Sequence, residues 1–104
     1  PRGFGSFPRF LGQYVRDMKL MSLQEAIHKI THLPAETFGL EWRGLIRTNF
    51  FADIVVFDPA RLSDPSEFRN PFRQAQGMAH VLVNGVFALR DGELTGALPG
   101  RIMR

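Results

Sequence analysis

Two histidines four residues apart are the first candidates for metal chemistry in this chain of 104 residues. His28 and His32 lie in a stretch of helical periodicity, and two imidazoles at this spacing can face one metal ion. However, no glutamate of the HExxH type lies between them, and the ammonium group of Lys29 would repel a bound cation. We therefore predict no metal site here, and we expect His80, which begins a predicted strand, to be a surface or interface residue.

Two aspartates, Asp53 and Asp58, flank an apolar run and could be read as a pair of catalytic carboxylates. They are five residues apart, so their side chains would point to opposite faces of a strand, where successive side chains alternate. We therefore expect structural roles for both. Asp53 is expected to pair with the backbone or with an arginine, and Asp58 is expected to cap the strand end before Pro59.

The run between these aspartates predicts a strand. Residues 52–57 are almost all apolar, and Pro59 cannot continue a ladder. An apolar run without alternation is typical of a strand that is buried on both faces. A second, shorter strand is expected at Leu45-Ile46, directly after a glycine.

A hairpin is predicted at Asn84-Gly85, where this dipeptide joins two β-rich runs. Asparagine and glycine both accept the positive φ angles of a type I′ turn, so the pair is a strong local signal. Between the strand and the hairpin, residues 60–77 are polar and interrupted by prolines, and we expect them to form an exposed excursion. Residues 95–104 are expected to be a tail that lies against a neighbour.

Three helices are predicted before the strands. The first begins near Pro8, which the first turn tolerates, and it contains Gly12, where a missing side chain would allow close packing. Ser22 and Glu25 form a capping-box pattern for the second helix, and Gly39 ends a short third helix. The apolar face of the first helix consists of Phe10, Leu11, Tyr14, Val15 and Met18, and that of the second consists of Leu23, Ala26, Ile27, Ile30 and Thr31.

Composition excludes several classes of protein and partner. The chain has no cysteine, which excludes disulfides and thiolate metal sites and is compatible with a reducing compartment, so we expect a cytoplasmic protein. No apolar stretch approaches the ~18 residues of a membrane span, so we expect no membrane partner. The net charge is +3, and the arginines behind it are scattered, whereas nucleic-acid binding favours a cluster on one face.

Both ends of the chain resemble one family. Residues 1–16, which contain GSFPRFLGQYVR, are similar to a stretch of the N-acyl-D-amino-acid deacylases, or D-aminoacylases, of the metal-dependent amidohydrolase superfamily. Residues 22–40, the ADIVVFDP element at 52–59, the later VNG and the closing TGALPGR at 95–101 resemble further segments of the same branch. Dihydroorotases, hydantoinases and many deaminases share the ADIVVFDP element, whereas the FPR-x-LG-x-YVR element distinguishes this branch.

The resemblance implies an α+β fragment. Residues 1–43 would be the last helices of a TIM-type barrel, and residues 44–104 would be the C-terminal strands of a small composite β-sandwich. It also implies a zinc-dependent hydrolase that cleaves the amide bond of N-acyl-D-amino acids, with the metal ligands and the catalytic aspartate upstream of this segment. Within the segment it assigns no catalytic or metal-binding residue. It assigns one substrate-binding residue, Arg2, whose guanidinium would grip the substrate carboxylate through two parallel hydrogen bonds.

The length of the chain leaves two alternatives open. A complete barrel needs roughly 250 residues, so we expect either part of an enzyme, inactive alone, or a free module. The absence of an initiator methionine favours truncation or processing. A free module would be non-catalytic and would pair through exposed edge strands, which implies a homo-oligomer. Another possibility is the C-terminus of a different amidohydrolase, of the dihydropyrimidinase or deaminase type.

Overall fold

The structure, a computed structural model, describes residue 3 and residues 5–103. Helices precede strands, which confirms the predicted α+β order. The elements are α1 (Ser6–Arg9), a π-helix (Phe10–Asp17) that continues it, α2 (Leu23–Ile30), α3 (His32–Thr37), β1 (Ile54–Phe57), β2 (Met78–Val83), β3 (Val86–Arg90) and β4 (Glu93–Leu94). None of the helices in these described ranges is long and apolar enough to cross a membrane.

The chain folds into two compact units, each built from two separate stretches. The first unit comprises Pro1–Ile27 and Phe57–Met78, and the second comprises His28–Val56 and Ala79–Arg104. Each unit therefore combines an early helical stretch with a later stretch of the chain.

The first helix contains Pro8 in its opening turn, as predicted, and then changes to π winding. Leu11 and Val15 are buried, at 6% exposure each, whereas Tyr14 and Met18 are 39% and 52% exposed. The predicted apolar face is therefore wrong at Tyr14 and Met18. Leu11 and Val15, four residues apart, stay on the buried side, whereas Tyr14, three residues after Leu11, turns outward in the wider π turn.

The ends of α2 and α3 follow their sequence signals. The hydroxyl of Ser22 accepts a hydrogen bond from the amide of Glu25 at 3.2 Å, and Ala26 on the predicted face is fully buried. α3 begins at His32 and ends at Thr37. At its end Gly39 has φ +66°, and the amides of Gly39 and of the next residue donate back to carbonyls of the last turn at 3.2 and 2.8 Å. This is the Schellman arrangement, which confirms the predicted C′ glycine.

The four strands form one sheet in the order β1-β2-β3-β4, in which β3 is antiparallel to both β2 and β4. The predicted hairpin at Asn84-Gly85 is confirmed, with φ angles of +50° and +78°. β3 and β4 form a second hairpin at Asp91-Gly92, with φ angles of +50° and +79°. This second turn is absent from the predictions above, although Asp-Gly is a hairpin signal of the same kind.

Two strand predictions are wrong. β1 lies at the edge of the sheet, and Val55 and Val56 are 48% and 46% exposed rather than buried on both faces. An apolar run shows what a strand could bury, but it does not show whether another element covers that strand. Leu45-Ile46 forms no strand, and Ile46 is 87% exposed, because the backbone turns at Gly44 with φ +85°.

The prediction of an exposed excursion over residues 60–77 is confirmed for most of the stretch but is wrong at two positions. Leu62 and Ser66 in this stretch are 1% and 2% exposed, which places them at the centre of the first unit. Prolines prevent a regular ladder, but they do not prevent burial. The stretch closes with an isolated antiparallel bridge between Ser63 and Gln76, and the adjacent Gly77 approaches the backbone of Leu62 closely.

The packing at Gly77 can be tested against Gly92, because both glycines have similar φ angles of +90° and +79°. A Cβ at Gly77 would lie 2.6 Å from backbone atoms of Leu62, whereas nothing lies within 4 Å of a Cβ at Gly92. We expect Gly92→Ala to cost about 1–2 kcal/mol, since only backbone strain is added. Gly77→Ala should cost about 2 kcal/mol more, since it also overpacks the site. Urea unfolding of the two variants measures the difference, and equal losses would contradict the close packing at Leu62.

Candidate functional site

Arg2, the predicted substrate-binding residue, lies outside the described residues. The described chain that follows it starts a continuous stretch at Gly5 and forms the first helix of the first unit. This helix is fastened to residues 59–66, which we call the anchoring loop. Two arginines, from the FPR and YVR elements of the sequence, make the polar contacts between the helix and this loop.

Arg9 holds the far end of the anchoring loop. Its Nε donates to Oδ2 of Asp64 at 3.0 Å, and its Nη2 donates to the carbonyl of Ser66 at 2.7 Å. The carboxylate of Asp64 also accepts the amide of Ser66 at 2.9 Å, and this side chain is only 3% exposed. Gly5 lies directly against the same carboxylate, because a Cβ at Gly5 would overlap its atoms.

Arg16 holds the near end of the anchoring loop. Its Nη1 donates to the carbonyls of Pro59, Ala60 and Leu62 at 3.0, 3.2 and 2.8 Å. Its Nε and Nη2 donate to the carboxylate of Asp17, and this hydrogen bond raises the pKa of Arg16 and lowers the pKa of Asp17. A permanently charged guanidinium thus satisfies carbonyl groups that have no ladder partner.

Gly12 permits the close approach on which these hydrogen bonds depend. A Cβ at Gly12 would overlap the carbonyl oxygen of Leu62, so the helix can lie against the loop only because this position has no side chain. The predicted packing role of Gly12 is confirmed.

Opposing effects set the pKa of the Asp64 carboxyl. Burial raises the pKa, but the hydrogen bonds from Ser66 and Arg9 and the positive charge of Arg9 outweigh burial, so the pKa lies below its ordinary value of 3.8. Asp64 is therefore a carboxylate at neutral pH. A buried carboxylate that two neighbours hold in one geometry is suited to fixing the backbone around it and is unsuited to accepting a proton.

A small cavity of about 210 Å³ lies beside Arg16 in the first unit. Apart from the guanidinium of Arg16 its walls are apolar, so it offers no acid, base or nucleophile. It is lined by Leu11, Val15, Arg16, Met21, Leu23, Phe57, Pro59 and Leu62.

The two aspartates of the sequence have structural roles, as predicted. Asp53 forms an ion pair with Arg43, and its Oδ1 accepts the amide of Asn84 at 2.8 Å. The side chain of Asn84 in turn accepts from Arg43 and donates to the carbonyl of Pro99, both at 2.8 Å. At the other end of β1, Asp58 accepts the amide of the residue that follows Pro59, at 3.0 Å.

The histidines form no metal cluster in the described part of the chain. The rings of His28 and His32 lie 5.7 Å apart, and Nε2 of His32 is 4.0 Å from a carboxylate oxygen of Glu36. Among residue 3 and residues 5–103, no group of three or more His, Cys, Asp or Glu side chains could hold a metal ion. His80 accepts the amide of Asp91 through Nδ1 at 3.1 Å and packs beside the neighbouring strand.

The contacts of the anchoring loop are absent from the sequence predictions, although the sequence carries a signal for them. Gly5 and Gly12 are seven residues apart, and so are Arg9 and Arg16, so each pair repeats along the helix. Two glycines and two arginines at this seven-residue spacing indicate a helix that packs closely against the carbonyl groups of another backbone segment. Nothing in the polar stretch at 60–77 identifies that backbone, since Asp64 resembles an ordinary solvated acid there.

Three comparisons place this arrangement among known proteins. Residues 2–88 match the model of the Amidohydrolase family. The chain is 44% identical over 103 residues to a D-aminoacylase of Alcaligenes xylosoxydans xylosoxydans, covering 99% of this chain and 21% of that protein. A solved structure of a D-aminoacylase, described for its binuclear metal centre, superposes on this chain with a TM-score of 0.86 at 44% identity. The superposition covers 89% of this chain and 20% of that chain.

A second solved structure, the N-acyl-D-glutamate deacylase of Bordetella bronchiseptica with zinc and a phosphonate inhibitor, is also similar. It superposes with a TM-score of 0.81 at 40% identity, over 89% of this chain and 21% of that chain. Most of the chain therefore superposes on a part of these proteins. The chain spans about a fifth of the length of the relatives it matches.

The contribution of Asp64 to stability should depend on pH. Its pKa is lower in the folded chain than the ordinary 3.8, so its stabilising effect is fully present above that pH and is lost as the pH falls through the folded value. We expect Asp64→Asn to cost about 1–3 kcal/mol at pH 7, because Arg9 loses a charged partner in a buried setting. The difference from the wild type should shrink steadily below pH 4, as measured by urea unfolding at several pH values. Glu93→Gln, on the exposed strand β4, is the control and should be neutral throughout.

Proposed function

Because the chain belongs to the amidohydrolase family, we propose that it is the C-terminal portion of an N-acyl-D-amino-acid deacylase. The reaction is hydrolysis of the amide bond that joins the acyl group to the D-amino acid. The observation that carries this proposal is the 44% identity to a D-aminoacylase over 99% of the chain. The matched span contains residues 7–16, whose FPR-x-LG-x-YVR element favours this branch over dihydropyrimidinase-like and deaminase-like enzymes.

The proposed substrate is an N-acyl-D-amino acid with a free α-carboxylate, and Arg2 is the residue that we propose to bind it. A planar guanidinium donates two parallel hydrogen bonds to a carboxylate, which fixes the orientation of the substrate as well as its position. The family match begins at residue 2, so this arginine falls inside it. Orientation matters for stereochemistry, since a D- and an L-amino acid differ in where the acyl group lies once the carboxylate is held.

Zinc is the proposed cofactor of the whole enzyme, as in the N-acyl-D-glutamate deacylase structure that contains it. The described residues do not fit a zinc site, because none of their clusters could hold a metal ion. We therefore assign the metal ligands and the catalytic acid–base group to chain beyond this segment. The role of the segment is to complete the fold and to supply Arg2, with residues 1–43 as the last barrel helices and residues 44–104 as part of the β domain.

A second candidate function is a non-catalytic module that pairs through an exposed strand. The exposed Val55 and Val56 on the edge strand β1 favour it, because an apolar edge strand can pair with a strand of another copy. Light scattering on the 104-residue chain tests this candidate. A monomer would exclude self-pairing, and a dimer that Val55→Lys dissociates would support it.

The deacylase proposal predicts an enantioselective, metal-dependent hydrolysis by the full-length protein. We expect kcat/KM for an N-acetyl-D-amino acid to exceed that of its L enantiomer by ~100-fold or more, because the carboxylate contact orients only one enantiomer for attack. A chelator should abolish the activity, and added zinc should restore it. Release of acetate, followed for both enantiomers, is the measurement. Equal rates for the two enantiomers, or full activity after chelation, would exclude the proposed function.

Arg2 should determine the affinity for the substrate carboxylate. In the full-length protein, Arg2→Met is expected to raise KM for an N-acetyl-D-amino acid by ~10–100-fold, since a charge-assisted bidentate contact is lost. The KM for the corresponding neutral N-acetyl-D-amino acid amide should stay within about twofold. Arg101→Met, at an exposed position of the closing segment, is the control and should change neither value. If KM rises equally for the acid and the amide, Arg2 does not bind the carboxylate.

A further inference from the structure

We propose that residues 95–103, the closing segment, are a docking element that packs on the upstream part of the same enzyme. This inference rests on the proposed function, in which the chain is the C-terminal portion of a longer deacylase. Side-chain hydrogen bonds of the second unit hold the closing segment at two points. Between and beyond these points the segment presents large apolar side chains to solvent.

The first anchor of the closing segment is Thr95, which binds at an irregularity of the sheet. β3 has one residue more than β2 at Ala88, so the register of the two strands shifts there. The amide of Thr95 donates to the carbonyl of Ala88 at 3.0 Å, and its hydroxyl donates to the carbonyl of Phe87 at 2.6 Å. The same hydroxyl accepts the amide of Ala97 at 3.2 Å. Thr95 therefore fixes the first residues of the closing segment on the bulge.

The second anchor is the side chain of Asn84, at the turn between β2 and β3. Its Nδ2 donates to the carbonyl of Pro99 at 2.8 Å. The asparagine cannot rotate freely, because its Oδ1 accepts from Arg43 at 2.8 Å and its amide donates to Asp53 at 2.8 Å. The ring of Pro99 also restricts the backbone at this point. The closing segment is therefore fastened to the hairpin as well as to the bulge.

The side chains that these anchors present are apolar. Leu98 lies between the two anchors and is 95% exposed, and Ile102 and Met103 beyond them are 84% and 54% exposed. A chain end without a partner is ordinarily poorly ordered, because ordering it costs conformational entropy. The closing segment is instead fastened twice and carries three exposed apolar side chains within a short stretch. Such a cluster on a fastened segment is typical of an interaction surface.

The occupant that we assign to this surface is the upstream part of the same polypeptide. The chain covers 21% of the D-aminoacylase that it matches, so about four fifths of such a protein lies outside this chain. In the proposed enzyme that remainder is covalently joined to the segment and is therefore present at a high effective concentration. A second copy of the enzyme would have to be collected from solution. The closing segment would thus hold the C-terminal portion of the enzyme on the portion that carries the metal.

Thiol accessibility in the full-length protein tests the proposal. Leu98→Cys and Ile102→Cys are each treated with a maleimide, and labelling of the peptide that contains the new thiol is followed by mass spectrometry. We expect each thiol to react at least ~10-fold more slowly in the native protein than in urea, because the reaction then requires local opening of the docked segment. Labelling is measured separately in the monomer and dimer fractions from gel filtration. Ile102→Cys provides the second position if Leu98→Cys does not fold.

Glu93→Cys is the matched control, because Glu93 is exposed on β4 two residues before the closing segment. Its thiol should react at nearly the same rate in the native and the unfolded protein. The deacylase activity of the wild type is assayed on the same preparation with an N-acetyl-D-amino acid.

The outcomes separate the two proposals. A wild-type protein without activity on N-acyl-D-amino acids would overturn the proposed function and this inference with it. An active wild type in which the thiol of Leu98→Cys reacts as fast as that of Glu93→Cys would overturn the inference alone. Protection confined to a dimer would also overturn it, since a second copy would then cover the segment. Protection in the monomer of an active enzyme would establish the closing segment as an intramolecular docking element.

Discussion

The first unit depends on an unusually close approach between backbones. The anchoring loop lies against three positions, Gly5, Gly12 and Gly77, at which a single added carbon would overlap atoms of Leu62, Asp64 or the backbone beside them. Such an approach takes the carbonyls of Leu62 and Ser66 partly out of solvent, and buried peptide groups without a partner are costly. Arginine side chains from the helix meet this requirement, because each guanidinium donates to several acceptors at once. Glycines thus allow the close approach, and arginine side chains donate hydrogen bonds to the carbonyl groups that the approach covers.

In the proposed enzyme, this arrangement would give the segment a role that needs no catalytic group of its own. The buried carboxylate and the two arginines perform no proton transfer. They define the position of a short helix whose preceding residues are proposed to meet the substrate. In enzymes that bind a small charged molecule, the accuracy of one contact depends on the rigidity of the backbone behind it. The features of the first unit, namely a buried ion pair, multiple carbonyl acceptors and close packing, all contribute rigidity.

The sequence predicts this structure well wherever the signal is local. Asn84-Gly85 determines its hairpin, Ser22 begins α2, and Gly39 ends α3, because each acts through its own backbone conformation or its nearest hydrogen bonds. Prediction fails where a distant element decides. Leu62 lies in a polar, proline-interrupted stretch, and its burial follows from a helix about fifty residues earlier. The π winding after Arg9, which turns Tyr14 outward, has no local signature. The role of Asp53 is predictable, since an acid beside an apolar strand needs a partner, but that of Asp64 requires the tertiary contact.

The network around Asn84 also affects the chemical durability of the chain. An asparagine followed by glycine tends to deamidate, because the unhindered amide nitrogen of the glycine attacks the side-chain carbonyl carbon and expels ammonia. Water then opens the resulting cyclic imide to aspartate or isoaspartate. In the folded second unit the amide of Gly85 donates to the carbonyl of Ala52 at 3.0 Å, and both ends of the Asn84 side chain are engaged. Neither the nucleophile nor its target is free to move toward the other. Deamidation at this bond should therefore be slow in the folded chain and fast in the unfolded chain, so that the combined proportion of aspartate and isoaspartate at position 84 records how much of its lifetime the molecule has spent unfolded.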